Sequence, residues 1–326
     1  MSLFKASNRI RPLLHPEYFE AWKTTVLMHW NVFELDFLPD EQCWANLLSE
    51  YEKRAVTGIL MGFTQIEQVV GEYWSEIVAA KFGRPEIIMM ARAFSNQEST
   101  HLHAYNFLEE VLGLDTYEAF AADPVSSKKI EDLILRVSSD SDLLTSLAVF
   151  SGAVEGVSLF SSFAVLLSFS KQGKLRATKR IMGWSAQDEE LHSINGIKLF
   201  HSAAKELGKE KIDKASIYSG FDAVLRNEYR VIEGIFEDGD LPSIGKWEVL
   251  GYINYRANEK LKALGLESRY ETTDSGQNLN QWMENVILGK SNGDFFAGKL
   301  TDSYTTTIGQ RFEEVEYERL TSIVYE

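Results

Sequence analysis

Apolar residues recur three and four apart along most of the chain, and strand-like alternation is almost absent. This pattern predicts helices over residues 15–30, 43–82, 85–112, 142–172, 174–207, 216–236, 244–263 and 279–288. Pro85 suits a first helical turn, and Gly113 and Gly208 suit C-terminal stops. Several of these helices exceed the average globular length and the connections are short, so the expected architecture is an all-α bundle. One stretch, "LLTSLAVFSGAVEGVSLFSSFAVLLSFS" over residues 143–170, is apolar on all sides and long enough to span a bilayer. It carries many serines and an acid, Glu155, near its middle, and no second such segment accompanies it. A central helix of a large soluble bundle explains it better than a membrane span.

Composition narrows the function classes. A chain of 326 residues that is 44% hydrophobic can bury a large core, and only 6 prolines leave long helices uninterrupted. No linker, repeat or change of composition marks an internal boundary, so the expected organisation is one domain over 1–290. A tail over 291–326 has turn signals and then a polar, acidic run, and reads as a flexible segment that orders on a partner. The net charge of −15 comes without any Lys/Arg cluster, which argues against nucleic acid as a direct ligand. The single cysteine, Cys43, allows no intramolecular disulfide and fits a reducing cytosol. With no secretory signal in "MSLFKASNRIRPLLHPEYF", a cytoplasmic location is the expectation.

Chemistry concentrates in four places. Residues three and four apart share a helix face, so Glu98 and His101 in "SNQESTHLHAY" point the same way, with Tyr105 one turn beyond. A second Glu-x-x-His, Glu189 and His192, lies in "SAQDEELHSI". Two further long helices each offer an acid in apolar surroundings, Glu67 in "MGFTQIEQVV" and Glu155 in "SGAVEGVSLF". A single Glu-x-x-His is a weak signal. Two copies together with two inward acids make the ligand set of a dinuclear carboxylate site in a ferritin-like bundle. Four carboxylates neutralise two divalent cations, and two neutral imidazoles complete the shell. Without metal, four such acids facing one another would be severely destabilising unless protonated.

These motifs, in this order and at these separations, resemble the small, radical-generating subunit of class I ribonucleotide reductase from about Pro16 to the C-terminus. The resemblance implies that Glu67, Glu98 and His101 bind one metal and Glu155, Glu189 and His192 the other, with glutamates bridging. It places Tyr105 at the radical-tyrosine position and Asp188 as an acid hydrogen-bonding a metal-bound histidine. Trp30, in "LMHWNVF", falls near the electron-transfer tryptophan. Tyr304, in "SYTTTIGQ", falls at the C-terminal relay tyrosine, with Tyr317 and Tyr325 as rivals. The implied partners are a large (alpha) subunit carrying the reactive cysteine, a second copy in a homodimer, and an activating flavoprotein.

Departures bear on the metal. Most of the family has Asp where Glu67 stands, and Leu159 and Ser185 replace bulky residues around the tyrosine while Phe163 keeps a third. A glutamate first ligand is similar to subgroups that hold the oxidant on manganese–iron or dimanganese pairs. The expected cofactor is therefore a dinuclear centre of manganese and/or iron, with manganese favoured. The rival readings are a stand-alone dimetal-carboxylate oxidase on the same scaffold, an iron-storage protein and a metal-free helical interaction protein.

Overall fold

A computed structural model describes residues 2–114 and 137–287, with residues 128, 131, 132 and 135 between them; the side chains of 64–68 lie outside that description. The expected tail, with Tyr304, Tyr317 and Tyr325, also falls outside it. Among the described residues there is no strand, only an isolated antiparallel bridge between Leu241 and Ile244. Among the described residues, ten helices of nine residues or more build the bundle. They are α1 (Pro16–Leu27), α2 (Leu38–Asn46), α3 (Glu50–Glu72), α4 (Pro85–Leu112) and α5 (Asp140–Val149). α6 (Phe160–Ser168), α7 (Arg176–Leu207), α8 (Lys214–Ile235), α9 (Lys246–Ala263) and α10 (Asp274–Ile287) follow. α4 ends at Gly113, whose φ of 66° is left-handed, where glycine carries no side-chain penalty.

Two predicted helices are divided. The segment expected to run over 43–82 stops at Asn46 and restarts at Ser49. The cause is a capping box: Ser49 Oγ accepts from the Glu52 N–H, and the Glu52 carboxylate accepts from the Ser49 N–H at 2.8 Å. α3 then continues through a π-helical turn, Tyr73–Val78. The apolar segment expected over 142–172 is broken more thoroughly. α5 widens into a π turn at Phe150–Val154, three helical residues Glu155–Val157 follow, and the chain breaks at Ser158 and Leu159 before α6 starts. Leu159 has a φ of 69°, unfavourable for a side chain with a Cβ. Glu228 of α8 supports this kink, accepting from the Leu159 N–H at 3.3 Å and from the Ser161 hydroxyl at 2.6 Å. Its acid thus answers the open donors at the start of α6.

The would-be membrane span is the middle of the molecule, with 94% of its most apolar window buried among other helices. α7 crosses it and also packs on α4, α6 and α10, so the longest helix runs through the centre. Close approach is possible because Gly196 has no side chain; a Cβ there would lie 2.0 Å from Ser151 Oγ on the π turn.

Beside this centre lies a buried ion cluster. Glu190 of α7 meets Arg256 and Lys260 of α9, the latter at 2.6 Å, and the Arg256 guanidinium lies over the Phe160 ring. Burial opposes ionising Glu190, yet Lys260 and Arg256 hold its carboxyl at about 2. Its stabilising contribution is thus complete above the ordinary value of 4.5 and is lost as pH falls from there through about 2. Glu190→Ala removes the carboxylate that two buried cations share and will destabilise the protein by about 3–5 kcal/mol, measurable by urea unfolding at neutral pH. A loss below about 1 kcal/mol would show the cluster to be solvated.

Candidate metal centre

α4 and α7 each turn a Glu-x-x-His face toward the other, and the short link Glu155–Val157, packed on α7, brings Glu155 to the same place. Glu98, His101, Glu155, Glu189 and His192 are all at most 3% exposed. Ligand atoms from Glu98, Glu155, Glu189 and His192 lie within 4.8 Å of one another. His192 Nδ1 is 2.8 Å from Glu98 Oε1, 3.4 Å from Glu155 Oε2 and 3.5 Å from Glu189 Oε2. His101 Nδ1 is 3.0 Å from Glu98 Oε2 and 3.1 Å from Glu189 Oε1. Glu98 and Glu189 therefore each turn one oxygen to each imidazole, the disposition of bridging carboxylates.

Helix α3 approaches α4 closely here. A Cβ on Gly71 would sit 3.3 Å from the Glu98 Cβ, so glycine lets the two backbones come together beside the cluster. Glu67 lies on α3 one turn before Gly71; its side chain is outside the described residues.

Outside this ring, other polar groups hold the ligands. Asp188 Oδ2 accepts from Trp30 Nε1 at 2.8 Å and lies 3.1 Å from His101 Nε2, while its Oδ1 accepts from Gln97 Nε2 at 2.6 Å. Gln97 Oε1 is 2.9 Å from His192 Nε2. Trp74 Nε1 donates to Glu155 Oε1 at 2.5 Å. Trp30 in turn packs on His101, with ring centroids 5.8 Å apart, and on half-buried Trp184 at 5.3 Å. Tyr105 is fully buried, 6.1 Å from the His101 ring and 4.6 Å from the Phe63 ring, which packs on Phe163. Ser185, one turn before Glu189, is buried, and its hydroxyl has no hydrogen-bond partner among the described residues. Leu159, read from the sequence as a neighbour of the tyrosine, is the strained residue at the helix break.

Three of these residues escaped the sequence reading. Gln97 directly precedes Glu98 as Asp188 directly precedes Glu189, and that parallel was the available signal. Trp74 lies seven residues after Glu67, two turns along the same helix, and Trp184 four before Asp188.

The electrostatics call for a cation. Glu98 Oε1, Glu155 Oε2, Glu189 Oε1 and His192 Nδ1 are buried and face one another. Burial, and then the charge of Glu189, push the Glu155 carboxyl well above the ordinary range. Burial also opposes charge on Glu98 and Glu189, but the two imidazoles hold both below it. For His101 and His192 burial works downward; Tyr105 and then Glu98 overcome it at His101, Glu98 and Glu155 at His192, and both are raised well above 6.5. Protons thus perform, in the metal-free protein, the charge balancing that a divalent ion would perform. Carboxylate oxygens with imidazole nitrogens and no thiolate suit manganese or iron; Cys43 lies elsewhere in the core. The residues fit the group.

Residues 7–278 match the sequence profile of the family described as ribonucleotide reductase, small chain. The chain belongs to this family. Among its relatives, the invertebrate iridescent virus 6 protein named "Probable ribonucleoside-diphosphate reductase small subunit 376L" is 27% identical over 344 residues, covering 93% of this chain and 95% of its own. Among solved structures, the dimanganese(II)-NrdF of Streptococcus sanguinis superposes with a TM-score of 0.73 at 18% identity, covering 87% of this chain and all of its own. The Rnr4 homodimer of Saccharomyces cerevisiae does so with a TM-score of 0.69 at 16% identity, over 83% and 87%. The small chain therefore has the all-α, ferritin-like fold expected from its sequence, and it places a buried Glu/His cluster inside it. Small chains of this oxidoreductase family carry a dinuclear metal centre.

Proposed function

We propose that this small chain holds two metal ions and supplies the oxidising equivalent for ribonucleotide reduction on a large subunit. Glu67, Glu98 and His101 would hold one ion, and Glu155, Glu189 and His192 the other. The observation that carries this reading is the pair Glu98 and Glu189, each presenting one oxygen to each imidazole. When bound, the metal pair supplies one-electron oxidising power drawn from oxygen or a reduced oxygen species. Manganese is favoured by Glu67 in the sequence, and the dimanganese(II) form of the streptococcal neighbour is consistent with it.

The chain's own residues carry charge away from the centre. Tyr105, sealed among Phe63, Phe163 and His101, can give up one electron and its phenolic proton in a pocket that excludes water. Trp30 contacts His101 and hydrogen-bonds Asp188, so an electron leaving its indole moves inward while Asp188 stabilises the ring's positive charge. Tyr304 of the tail would return that electron to Trp30 and draw one from a thiol of the large subunit. Tyr304 sheds its phenolic proton as it gives its electron, and the thiol then returns both an electron and a proton to that oxygen and becomes a thiyl radical, so one electron in all moves from thiol to metal site. A cysteine-poor chain needs such a partner, because nucleotide reduction consumes a dithiol and this chain has only Cys43. A homodimer, as for the yeast Rnr4 neighbour, and an activating flavoprotein complete the proposed assembly.

Metal analysis and electron paramagnetic resonance on one active sample, with Tyr105→Phe alongside, test this. The expected result is a metal-dependent signal that tracks nucleotide reduction in the presence of the large subunit. If the signal and the activity vanish together in Tyr105→Phe, the oxidant resides on the tyrosine. A coupled-metal signal in an active variant would place it on the ions. Active protein without metal would overturn the proposal.

A further inference from the structure

Gln97 belongs to neither Glu-x-x-His motif, yet its amide touches the outer edge of both. Its orientation is fixed by chemistry. Asp188 Oδ1 can only accept, so the group 2.6 Å from it must be the amide nitrogen. The amide oxygen then faces His192 Nε2 at 2.9 Å, and that nitrogen must carry the hydrogen. In the neutral imidazole that a metal requires, His192 Nδ1 is thereby left to point its lone pair toward Glu98, Glu155 and Glu189.

The arrangement is crossed. Asp188, preceding Glu189 on α7, serves His101 of α4, while Gln97, preceding Glu98 on α4, serves His192 of α7. The 2.6 Å bond between Gln97 and Asp188 joins the two supports. Trp30 is consequently linked to both imidazoles, through Asp188 to His101 and through Asp188 and Gln97 to His192.

We propose that Gln97 is the positioning residue for the second metal position: it fixes the His192 tautomer and makes the two halves of the centre unequal. This rests on the dimetal reading above. An anionic partner raises the basicity of a histidine ligand more than a neutral amide does. His101, backed by Asp188, is the stronger donor, and His192, backed by Gln97, the weaker. The position at His101 therefore binds its ion more tightly and stabilises a higher charge on it.

The test is a stepwise Mn²⁺ titration of the metal-free protein by calorimetry, followed by electron paramagnetic resonance, for wild type and Gln97→Met. Methionine keeps the length and removes both hydrogen bonds. Wild type should bind two ions per chain and give a spin-coupled pair. In Gln97→Met one of the two affinities should fall about 10–100-fold, the usual range for an outer support. At concentrations where wild type shows the coupled pair, the variant should show the six-line signal of a single Mn²⁺. Its metal-free melting temperature should fall, because Asp188 Oδ1 and His192 Nε2 lose these buried partners, so the unequal loss of the two affinities is what identifies the role. Wild-type affinities at both positions in the variant would overturn the inference and leave the dimetal reading standing. Equal weakening of both positions would also overturn it, by showing a purely structural role. Should Gln97→Met fail to fold, Gln97→Asn, which is polar but one methylene short, is read by the same criteria. Failure of wild type to bind two ions would sink the dimetal reading and this inference with it.

Discussion

Glu189→Ala will leave the small chain with at most one metal ion per chain and no nucleotide reduction in the presence of its large subunit. Its carboxylate stands 3.1 Å from His101 Nδ1 with one oxygen and 3.5 Å from His192 Nδ1 with the other. Both imidazoles also hold it ionised in spite of complete burial. Without it, the two metal positions lose a shared anion and two positive charges would face each other with less between them. Losses above the ~10–100-fold seen for outer supports follow, because a direct ligand disappears. Metal per chain after gel filtration, together with activity, checks this. Glu189→Gln separates charge from volume, since it fills the same space without the negative charge, and it should lose metal comparably. Two tightly held ions in either variant would mean that Glu189 does not bridge.

Metal removal should have the next largest effect, and its size depends on pH. Each ion present at about 1,000 times its dissociation constant stabilises the fold by about 4 kcal/mol. For a chain of this length two ions should raise the melting temperature by roughly 10 °C. In the metal-free protein the folded values of His101, His192 and Glu155 are all raised. A raised group contributes stability below its unfolded value and loses it as pH climbs through the folded value. The metal-free form should therefore weaken from neutral pH upward, where the two histidines and Glu155 must give up protons among other acids. The loaded form has released those protons already, so the gap between the two widens as pH rises. Glu98 and Glu189, with lowered values, act oppositely and limit the metal-free form in acid. Melting curves with and without chelator across pH 6 to 9 (a range chosen about the ordinary histidine value of roughly 6.5) would show it. A constant gap would mean that metal binding releases no protons.

Much of this was legible in the chain because helices write their faces at a fixed spacing. Glu98 with His101 and Glu189 with His192 needed only the i, i+3 relation to be grouped. Glu155 stood out because an acid inside an apolar run must have a partner. Ser49-x-x-Glu52 was a readable stop signal inside what looked like a single helix from 43 to 82. Other features left no local trace. Gln97 finds both its partners more than ninety residues away, and Trp74 reaches Glu155 across 81. The break at Ser158 and Leu159 has neither glycine nor proline, and Glu228, which supports it, lies on a separate helix. Such features are set by packing between helices, which periodicity does not record.

The position of Glu155 has a mechanical consequence. Glu98 and Glu189 hang from helices of 28 and 32 residues, and displacing either means sliding a rod against all its neighbours. Glu155 hangs from a three-residue link between a widened turn and a break. That link packs on α7 and α9, and Trp74 holds one Glu155 carboxylate oxygen. The centre thus has two walls set by long continuous helices and one set by a short link between two irregular turns, so a change in spacing between the ions would interrupt the fewest backbone hydrogen bonds if it were taken up at Glu155.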